Sequence, residues 1–373
     1  MKIITEGVVF SSPPGDAFSS NAFPLPCVSD SGRWLCALRS APTKAGTRGQ
    51  RTLMTWSDDC GRSWSGPIEP FKPVTVEGKP GLIRGAGLTA LGGKRLLAAL
   101  CWVDHSAPDL PFFNEETEGL LDTRILLSRS DDDGLTWSEP RLMDTSPFNM
   151  PTPLTGPILR LPGGELACQF ELNKHYYDVR PWRHASVMMF SRDGGETWPN
   201  HTIAAQDPEM RVFYWDQRPS VLTGGRLLNL FWTFDRRDAA YLNIHTRESS
   251  DNGRKWSPLW DTGVPGQPGP VFPLSDGAIA MPYVDRAGAP KIRLRRSDDG
   301  GRSWPDGGEL TVYDSAGPSQ TERKSSMQDA WSEMAKFSVG LPNTAALPGS
   351  GALLVYYAGR ATDNTDVRWA VIS

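Results

Sequence analysis

Short runs of apolar residues recur along the whole chain, separated by segments rich in glycine, aspartate and serine. Residues 51–56, 123–127, 185–190 and 291–294 form alternating or apolar runs of strand length. Residues 96–102 and 353–357 are continuously apolar, which is typical of strands buried on both faces. The pattern therefore predicts an all-β chain of many short strands.

One hairpin pattern occurs six times: a strand, a glycine-containing turn, and an apolar second strand. The copies cover residues 22–38, 88–102, 157–170, 219–232, 271–283 and 343–357. Glycine suits these turns because it adopts positive φ without steric cost. Six copies at a spacing of roughly 60 residues predict a repeated structural unit.

A second pattern, Ser-x-Asp-x-Gly-x-(Ser/Thr/Lys)-Trp, occurs five times, at residues 57–64, 130–137, 191–198, 249–256 and 297–304. An aspartate side chain can accept backbone N–H bonds and close a local turn. The tryptophan can then pack back over that turn. We therefore interpret these aspartates as turn-forming residues, one per unit, and not as catalytic residues.

The two patterns together give four antiparallel strands per unit and predict a single six-bladed β-propeller over residues 1–373. The predicted blades cover about residues 13–76, 77–146, 147–208, 209–264, 265–330 and 331–373. The sixth unit lacks the aspartate turn, and the N-terminal run of residues 3–10 can supply its outer strand. This closure removes the exposed sheet edges that an open array would leave.

Composition narrows the class of protein. The net charge of −4 argues against a nucleic-acid-binding protein, which would carry a basic excess. The longest apolar stretches, about ten residues, are too short for a transmembrane helix. Residues 1–10 do not form a signal peptide, and the five cysteines show no metal-type spacing. We therefore expect a protein without metal or cofactor. We expect it to be cytoplasmic, or secreted or periplasmic if a signal peptide has been removed from the chain, and we expect a carbohydrate partner.

The five aspartate turns resemble the Asp-box, or bacterial neuraminidase repeat, and the chain resembles the sialidase (neuraminidase) superfamily. Residues 118–125, which lead into the second Asp-box, and the hairpin of residues 218–228 also resemble this superfamily. The resemblance implies a substrate site on the face opposite the Asp-boxes. It also implies three arginines that clamp a carboxylate, a Tyr–Glu nucleophile pair and an aspartic acid that donates a proton.

The candidate arginines are Arg84, Arg218 and Arg360, which lie near the predicted ends of inner or second strands. The family's first arginine has no match before the first hairpin, where residues 21–24 are Asn-Ala-Phe-Pro, so Arg84 of the second unit is the candidate. No arginine stands at the end of the matching second strand in the fifth unit, where residues 282–283 are Pro-Tyr. If Arg84, Arg218 and Arg360 do not converge within one cavity, the anionic-sugar hypothesis fails.

Glycosidic bond cleavage needs an acid and a base or nucleophile. The long loop of residues 103–122 offers Asp104, Glu118 or Asp122 as the acid. Tyr214 and Asp216 are a candidate nucleophile and its activator.

Other candidates lie in the third, fourth and sixth units. Glu171 begins a loop in which His175 or Tyr176 can remove a proton beside a carboxylate or line a sugar site. Trp215 and Glu333 are further candidates for substrate contact.

The sequence therefore favours a sialidase-like glycoside hydrolase that removes a terminal acidic sugar, sialic acid or a related one. Two alternatives remain open. The His175 and Tyr176 loop is compatible with a polysaccharide lyase that acts on uronic acids. The incomplete set of arginines is compatible with a carbohydrate-binding propeller without turnover.

Overall fold

The computed structural model describes residues 1–44, 47–152, 156–349 and 351–373. In these ranges the strands form six antiparallel sheets and one two-stranded ribbon. The inner strands of successive sheets contact one another around a ring that closes between the last sheet and the first. Each sheet is a blade, which confirms the predicted six-bladed all-β propeller.

The blades follow one another along the chain. With the innermost strand first, blade 1 contains Ser20–Val28, Trp34–Ala41 and Arg51–Ser57, and blade 2 contains Gly81–Gly92, Arg95–Asp104, Thr123–Ser130 and Arg141–Leu142. Blade 3 contains Pro151–Thr152 with Leu159–Arg160, Leu166–Leu172, Ser186–Ser191 and Asn200–Ala205, and blade 4 contains Val212–Val221, Leu227–Asp235 with Ala240–Tyr241, His245–Ser249 and Trp260–Asp261. Blade 5 contains Gln267–Pro268 with Phe272–Pro273, Ile279–Asp285, Lys291–Ser297 and Leu310–Asp314, and blade 6 contains Val339–Ala346, Ala352–Ala361, Asn364–Ile372 and Ile3–Phe10.

Blade 1 departs from the predicted four strands. Where the fourth strand is expected, the chain forms one isolated β-bridge, between Met54 and Ile68. Pro67, Pro70 and Pro73 lie in this segment, and proline cannot donate to a strand ladder, so a regular edge strand does not form.

Helical structure is sparse in the described residues. The α-helix Met327–Met334 precedes blade 6 and begins at a capping box between Ser326 and Asp329. Three short 3₁₀ turns lie at Pro162–Gly164, Thr223–Gly225 and Asp306–Gly308. The ribbon pairs Phe113–Asn114 with Gly119–Leu120 and belongs to the long loop of blade 2.

The Asp-boxes form the predicted turns. In the first box the Ser57 hydroxyl donates to Asp59 over 2.8 Å and accepts from the Gly61 N–H over 2.8 Å. Asp59 also accepts from the backbone and hydroxyl of Ser63, at 2.9 and 2.7 Å. These hydrogen bonds lower the pKa of Asp59 to about 2. The other four boxes repeat the bond from the first serine to the aspartate.

The second strands form the core, as predicted for residues 96–102 and 353–357, whose side chains are at most 4% exposed. Each strand is covered by the neighbouring blades, so burial on both faces stabilises the ring. The Asp-boxes help to join the blades. A Cβ on Gly61 would come within 2.6 Å of the Trp369 ring, so only glycine allows this close approach, and its φ is +85°.

Strand order fixes the two faces of the propeller. Because strands are antiparallel, the first hairpin turn of each blade and its Asp-box lie on one face. The starts of the inner strands and the loops after the second strands therefore lie on the opposite face.

Candidate functional site

A cavity of about 360 Å³ lies at the centre of the face opposite the Asp-boxes. All six blades contribute residues to its wall, from inner-strand starts and second-strand ends. We call it the central cavity. Its lining includes Phe23, Lys44, Arg84, Phe112, Phe113, Glu115, Thr152, Glu171, Asn173, Trp182, Trp215, Asp216, Trp232, Gln267, Arg286, Trp331, Ser332, Phe337, Leu341 and Tyr357.

Irregular inner strands place side chains in this cavity. The register of the inner strand shifts at Phe23 in blade 1, Arg84 in blade 2, Asp216 in blade 4 and Leu341 in blade 6. Such bulges re-aim a side chain that a regular strand would bury between blades. Asp216 has φ +49°, a costly conformation for a residue other than glycine, and strain of this kind clusters at functional sites.

Three cations line the cavity. Lys44 donates to the Phe337 carbonyl and, over 3.2 Å, to the Tyr357 hydroxyl. Arg286 is 6% exposed and donates over 3.0 Å to Gln267 and over 3.0 Å to the Val339 carbonyl.

Arg84 is the third cation. It donates over 3.0 Å to Gln50, and its guanidinium lies 4.1 Å from the Phe112 ring centre. In the described residues none of Lys44, Arg84 and Arg286 has a carboxylate within 4 Å. Burial and mutual repulsion hold the pKa of Lys44 well below its usual range, and burial lowers the pKa of Arg84 to about 10.

Besides Glu115 of the blade 2 loop, two carboxyl groups lie in the polar wall. Asp216 accepts a hydrogen bond from Gln267. Burial raises the pKa of Asp216 and the nearby Glu171 adds to the rise, whereas Arg218 opposes it. Glu171 lies 3.5 Å from the buried His184 and has one oxygen without a hydrogen-bond partner in the described residues. The cavity therefore holds one carboxyl group that keeps its proton to a higher pH than an exposed aspartate does, beside a second carboxyl group.

Tyr357 stands between the cations. Its ring is 3% exposed, and burial raises the pKa of its hydroxyl to about 12. A Cβ on Gly340 would meet the Tyr357 hydroxyl at 2.7 Å and Arg286 at 2.9 Å. Glycine at residue 340 thus leaves room for the phenol and the guanidinium side by side.

Aromatic rings form most of the remaining wall. Trp215 stacks on Phe234 at 5.0 Å and meets Trp331 at 5.9 Å. Across the cavity mouth, Phe113 of the ribbon stacks on Trp331 of the helix at 4.1 Å. Aromatic faces pack against the C–H faces of sugar rings, and planar polar groups bind their hydroxyls. The ribbon and the helix therefore roof a cavity that combines cations, carboxyl groups and flat apolar surfaces.

Comparison with known proteins agrees with this architecture. The family model of the BNR repeat-like domain matches residues 112–310, which is more than half of the chain. The chain belongs to the BNR repeat-like family. No curated protein matches it.

Solved structures resemble this BNR repeat-like chain in fold. A protein of unknown function from Dyadobacter fermentans has a TM-score of 0.74 and 17% identity, over 99% of this chain and 98% of its own. The Hadza microbial sialidase Hz136 has a TM-score of 0.66 and 15% identity, over 99% of this chain and 68% of its own. The intramolecular trans-sialidase of Ruminococcus gnavus, solved with oseltamivir carboxylate, has a TM-score of 0.64 and 13% identity, over 98% of this chain and 96% of its own. At these identities the likeness shows the sialidase-like propeller fold.

Four residues singled out in the sequence line the central cavity of the BNR repeat-like chain: Arg84, Glu171, Trp215 and Asp216. They come from blades 2, 3 and 4. The structure thus brings together one candidate arginine and one candidate aromatic residue. It also brings together two candidate carboxylates, Asp216, predicted as the activator of Tyr214, and Glu171, predicted as a substrate contact.

The predicted acids of the blade 2 loop do not reach the cavity. Asp104 and Asp122 both bind Lys79, at 3.3 and 3.0 Å, on the outer side of the loop. Glu118 forms a bidentate ion pair with Arg236, at 2.7 and 3.0 Å. These carboxylates hold the loop in place, so the geometry does not support them as proton donors at the cavity.

The residues behind the lyase hypothesis also lie outside. The His175 side chain is 55% exposed and 3.8 Å from Asp122. Tyr176 packs beside Phe112, and its carbonyl accepts from Asn114 and Thr117 of the ribbon. This loop therefore supports the ribbon and does not offer a base to the cavity.

The remaining predicted residues are displaced for local reasons. A regular strand would place Tyr214 and Asp216 on the same side, because they are two residues apart. The register shift between Trp215 and Arg218 turns Asp216 into the cavity, whereas Tyr214 packs on Phe231 at 5.6 Å. Glu333 is buried on the helix against Lys324.

The predicted arginine set does not converge in the cavity. Arg218 is 1% exposed and donates to the Pro268 carbonyl beneath the cavity floor, and Arg360 is exposed at the end of its strand. Of Arg84, Arg218 and Arg360, only Arg84 lines the central cavity. The anionic-sugar hypothesis built on these three arginines is therefore wrong in that form, and a different set of cations replaces it.

Sequence reasoning missed Lys44, Gln267, Arg286 and Tyr357. The second strand of blade 5 runs on to Asp285, so Arg286 follows directly, three residues beyond the Pro-Tyr pair at which an arginine was sought. Lys44 lies just beyond the second strand of blade 1, and Tyr357 lies within that of blade 6. A search for polar residues near the end of every second strand would have found Lys44, Arg286 and Tyr357, whereas Gln267 begins the inner strand of blade 5.

The described residues show neither a metal-type cluster nor a membrane-length helix. No group of three or more His, Cys, Asp or Glu among them is arranged to hold a metal ion. No helix within these ranges is long and apolar enough to span a membrane.

Proposed function

We propose that the chain is a sialidase-like glycoside hydrolase that removes a terminal acidic sugar from a glycan. The observation that carries the proposal is the convergence of Lys44, Arg84 and Arg286 on one cavity without a carboxylate partner in the described residues. Buried charges are normally paired. A ligand carboxylate would supply the missing partner and form charge-assisted hydrogen bonds with these groups.

Asp216 is the proposed general acid. Its raised pKa keeps a proton on the group at pH values where an exposed aspartate has lost it. Gln267 binds Oδ2 as a donor, which leaves Oδ1 to carry the proton toward the leaving oxygen. Strain at the Asp216 backbone fixes the direction of this carboxyl group.

Glu171 is the proposed second carboxyl group, the base or nucleophile. Glu171 lines the cavity with Asp216, one of its oxygens is buried without a hydrogen-bond partner in the described residues, and its other oxygen lies 3.5 Å from His184. Tyr357, between Lys44 and Arg286, contributes a hydroxyl to the substrate anion. Since the phenol's pKa is raised to about 12, we assign it to binding rather than to proton removal.

The test is release of the aryl group from aryl glycosides of sialic acid and glucuronic acid. We expect turnover with one of them, and loss of at least tenfold in kcat/KM in Arg286→Met. Arg360→Met is the matched control, because this arginine is exposed and does not line the cavity.

Two results would contradict the proposal. If neither glycoside is cleaved while calorimetry shows that the free acidic sugar binds, the propeller binds carbohydrate without turnover. If an unsaturated product forms from a uronic-acid polysaccharide, the chemistry is elimination. Equal activity of Arg286→Met and Arg360→Met would also remove the proposed role of the cations.

A further inference from the structure

A buried glutamine joins an arginine of the central cavity to the proposed acid. Gln267 is 4% exposed and begins the inner strand of blade 5. Its Oε1 accepts a hydrogen bond from Arg286 over 3.0 Å, and its Nε2 donates to Oδ2 of Asp216. One chain of hydrogen bonds therefore runs from the arginine through the amide to the carboxyl group.

The direction of the amide is set by these two partners. A guanidinium carries only N–H donors, so the atom of Gln267 that faces Arg286 is the carbonyl oxygen. The amide nitrogen is then left to donate to Asp216. Because Oδ2 accepts this bond, a proton on the carboxyl group belongs on Oδ1. Arg286 thus determines, through Gln267, which oxygen of Asp216 can act as a donor.

The backbone at Gln267 is held close to blade 4, which carries the acid. Gly266 has φ +109°, and a Cβ on it would collide with the Val284 carbonyl, so glycine allows the chain to enter the strand here. The Pro268 carbonyl accepts from the buried Arg218 of blade 4 over 3.2 Å. These contacts on both sides of Gln267 fix the position from which its amide reaches across to blade 4.

A second glutamine shows what holding an arginine alone requires. Gln50 accepts from Arg84 over 3.0 Å and from Arg39 over 2.7 Å. Its Nε2 is buried without a hydrogen-bond partner in the described residues. Gln50 therefore holds an arginine of the central cavity with its oxygen alone, whereas Gln267 uses both ends of its amide.

Asp216 has charged and titratable neighbours on several blades. They are Arg218 on its own strand, Glu171 of blade 3, Tyr241 of blade 4, Arg286 of blade 5 and Tyr357 of blade 6. Burial raises the pKa of Asp216, and the hydrogen bond from Gln267 opposes this rise because it stabilises the ionised carboxylate. Loss of that bond, with the other neighbours in place, should therefore raise the pKa further.

We propose that Gln267 is a positioning residue, anchored by Arg286, that directs the proton of Asp216 toward the leaving oxygen. The proposal rests on the proposed function, because it takes Asp216 as the general acid. Gln267 acts through this carboxyl group and not on the substrate. The arginine that binds the substrate anion therefore also orients the acid.

The experiment measures kcat against pH for the aryl glycoside of the acidic sugar. Gln267→Met keeps a long side chain and removes both hydrogen bonds. We expect kcat to fall roughly tenfold, because the carboxyl group is no longer oriented. The loss of activity at high pH should begin at a higher pH than in wild type, because the ionised acid has lost a donor.

A second variant changes the sign of the contact. Gln267→Glu keeps the shape of the side chain and can still accept from Arg286, but its carboxylate cannot donate to Asp216. Two adjacent carboxyl groups resist double ionisation, so activity should again persist to higher pH than in wild type. KM should rise roughly tenfold, because Arg286 gains a carboxylate partner that competes with the substrate anion.

Gln50→Met is the matched control. It removes a hydrogen bond from Arg84, another arginine of the central cavity, and leaves the hydrogen bond to Asp216 intact. We expect KM to rise while the pH dependence of kcat stays that of wild type. Urea unfolding of each variant confirms that the folded protein is compared. An unchanged pH dependence in Gln267→Met, or the same shift in Gln50→Met, would overturn the proposal.

Failure of the proposed function remains distinguishable. If the wild-type protein cleaves no glycoside, isotope-edited NMR of the aspartate carboxyl carbons titrates Asp216 directly, and its signal is assigned by its loss in Asp216→Asn. A higher pKa of Asp216 in Gln267→Met than in both wild type and Gln50→Met would support control of this carboxyl group by Gln267. The same pKa in all three proteins would overturn it.

Discussion

Replacement of Lys44 by methionine should separate stability from ligand binding. The lysine ammonium lies 5.7 Å from the Phe337 ring centre, and the Arg286 guanidinium lies 4.0 Å from the same ring centre. The two charges are therefore at most about 10 Å apart. At an effective dielectric constant of about 20, their repulsion is therefore at least about 1.7 kcal/mol.

The variant loses two hydrogen bonds, to the Phe337 carbonyl and the Tyr357 hydroxyl. Each is worth about 0.5–1.5 kcal/mol. Relief of the repulsion offsets much of this, so we expect the free energy of unfolding of Lys44→Met at pH 7 to stay within about 1 kcal/mol of wild type. Binding of the acidic sugar should weaken at least tenfold, about 1.4 kcal/mol.

The pH dependence provides a second signature. The pKa of Lys44 is lowered in the folded protein, so between the folded and unfolded pKa values the unfolded chain holds a proton that the folded chain has released. This contribution makes wild-type stability rise with pH across that range, and the rise should be absent in Lys44→Met. Affinity for the anion should fall over the same range, because the ammonium loses its charge.

Urea unfolding at several pH values and titration calorimetry measure these effects. Lys44→Arg is the control, since a guanidinium stays charged and should preserve the affinity at high pH. The reasoning is refuted if Lys44→Met binds the acidic sugar as tightly as wild type. It is also refuted if the pH dependence of unfolding is identical in the two proteins.

Three further predictions concern the acid, the roof and the Asp-boxes. Asp216→Asn should lower kcat by roughly 10²–10⁴ and remove the loss of activity at high pH, with sugar binding retained in calorimetry; unchanged kcat would exclude the acid role. Glu118→Gln breaks the bidentate pair with Arg236, so hydrogen exchange of ribbon amides should rise severalfold, whereas Asp109→Asn, in an exposed pair, should not change it. Since the pKa of Asp59 is lowered to about 2, the stabilisation that its ionised carboxylate gives the folded protein is lost as pH falls from about 4 through about 2. The free energy of unfolding of Asp59→Asn should therefore fall less than that of wild type over this pH range. An identical fall in the two proteins would contradict this.

The fold was predictable because its signals are local and repeated. Each Asp-box contains its own serine, aspartate and glycine, and the hydrogen bonds by which Ser57 and Asp59 close the first turn join residues 57–63. Continuous apolar runs such as residues 96–102 likewise identify second strands without knowledge of their neighbours. One deviation, the missing fourth strand of blade 1, follows from prolines that the pattern did not take into account.

The candidate site was predictable only in part because its residues come from all six blades. Arg84 and Asp216 lie at bulges, and a bulge that turns a side chain toward the axis has no clear sequence pattern. The composition of the acidic blade 2 loop suggested catalytic acids, but Glu118 is paired with Arg236, which is 118 residues away in the sequence. Such pairings depend on the closed ring and not on local sequence.

A structure of the protein with the free acidic sugar tests the central claim most directly. The account predicts that the sugar carboxylate lies in the central cavity, within hydrogen-bonding distance of at least two of Lys44, Arg84 and Arg286. It also predicts that Asp216 faces the anomeric oxygen. A carboxylate bound elsewhere, or a cavity that stays empty at saturating sugar, would contradict the account.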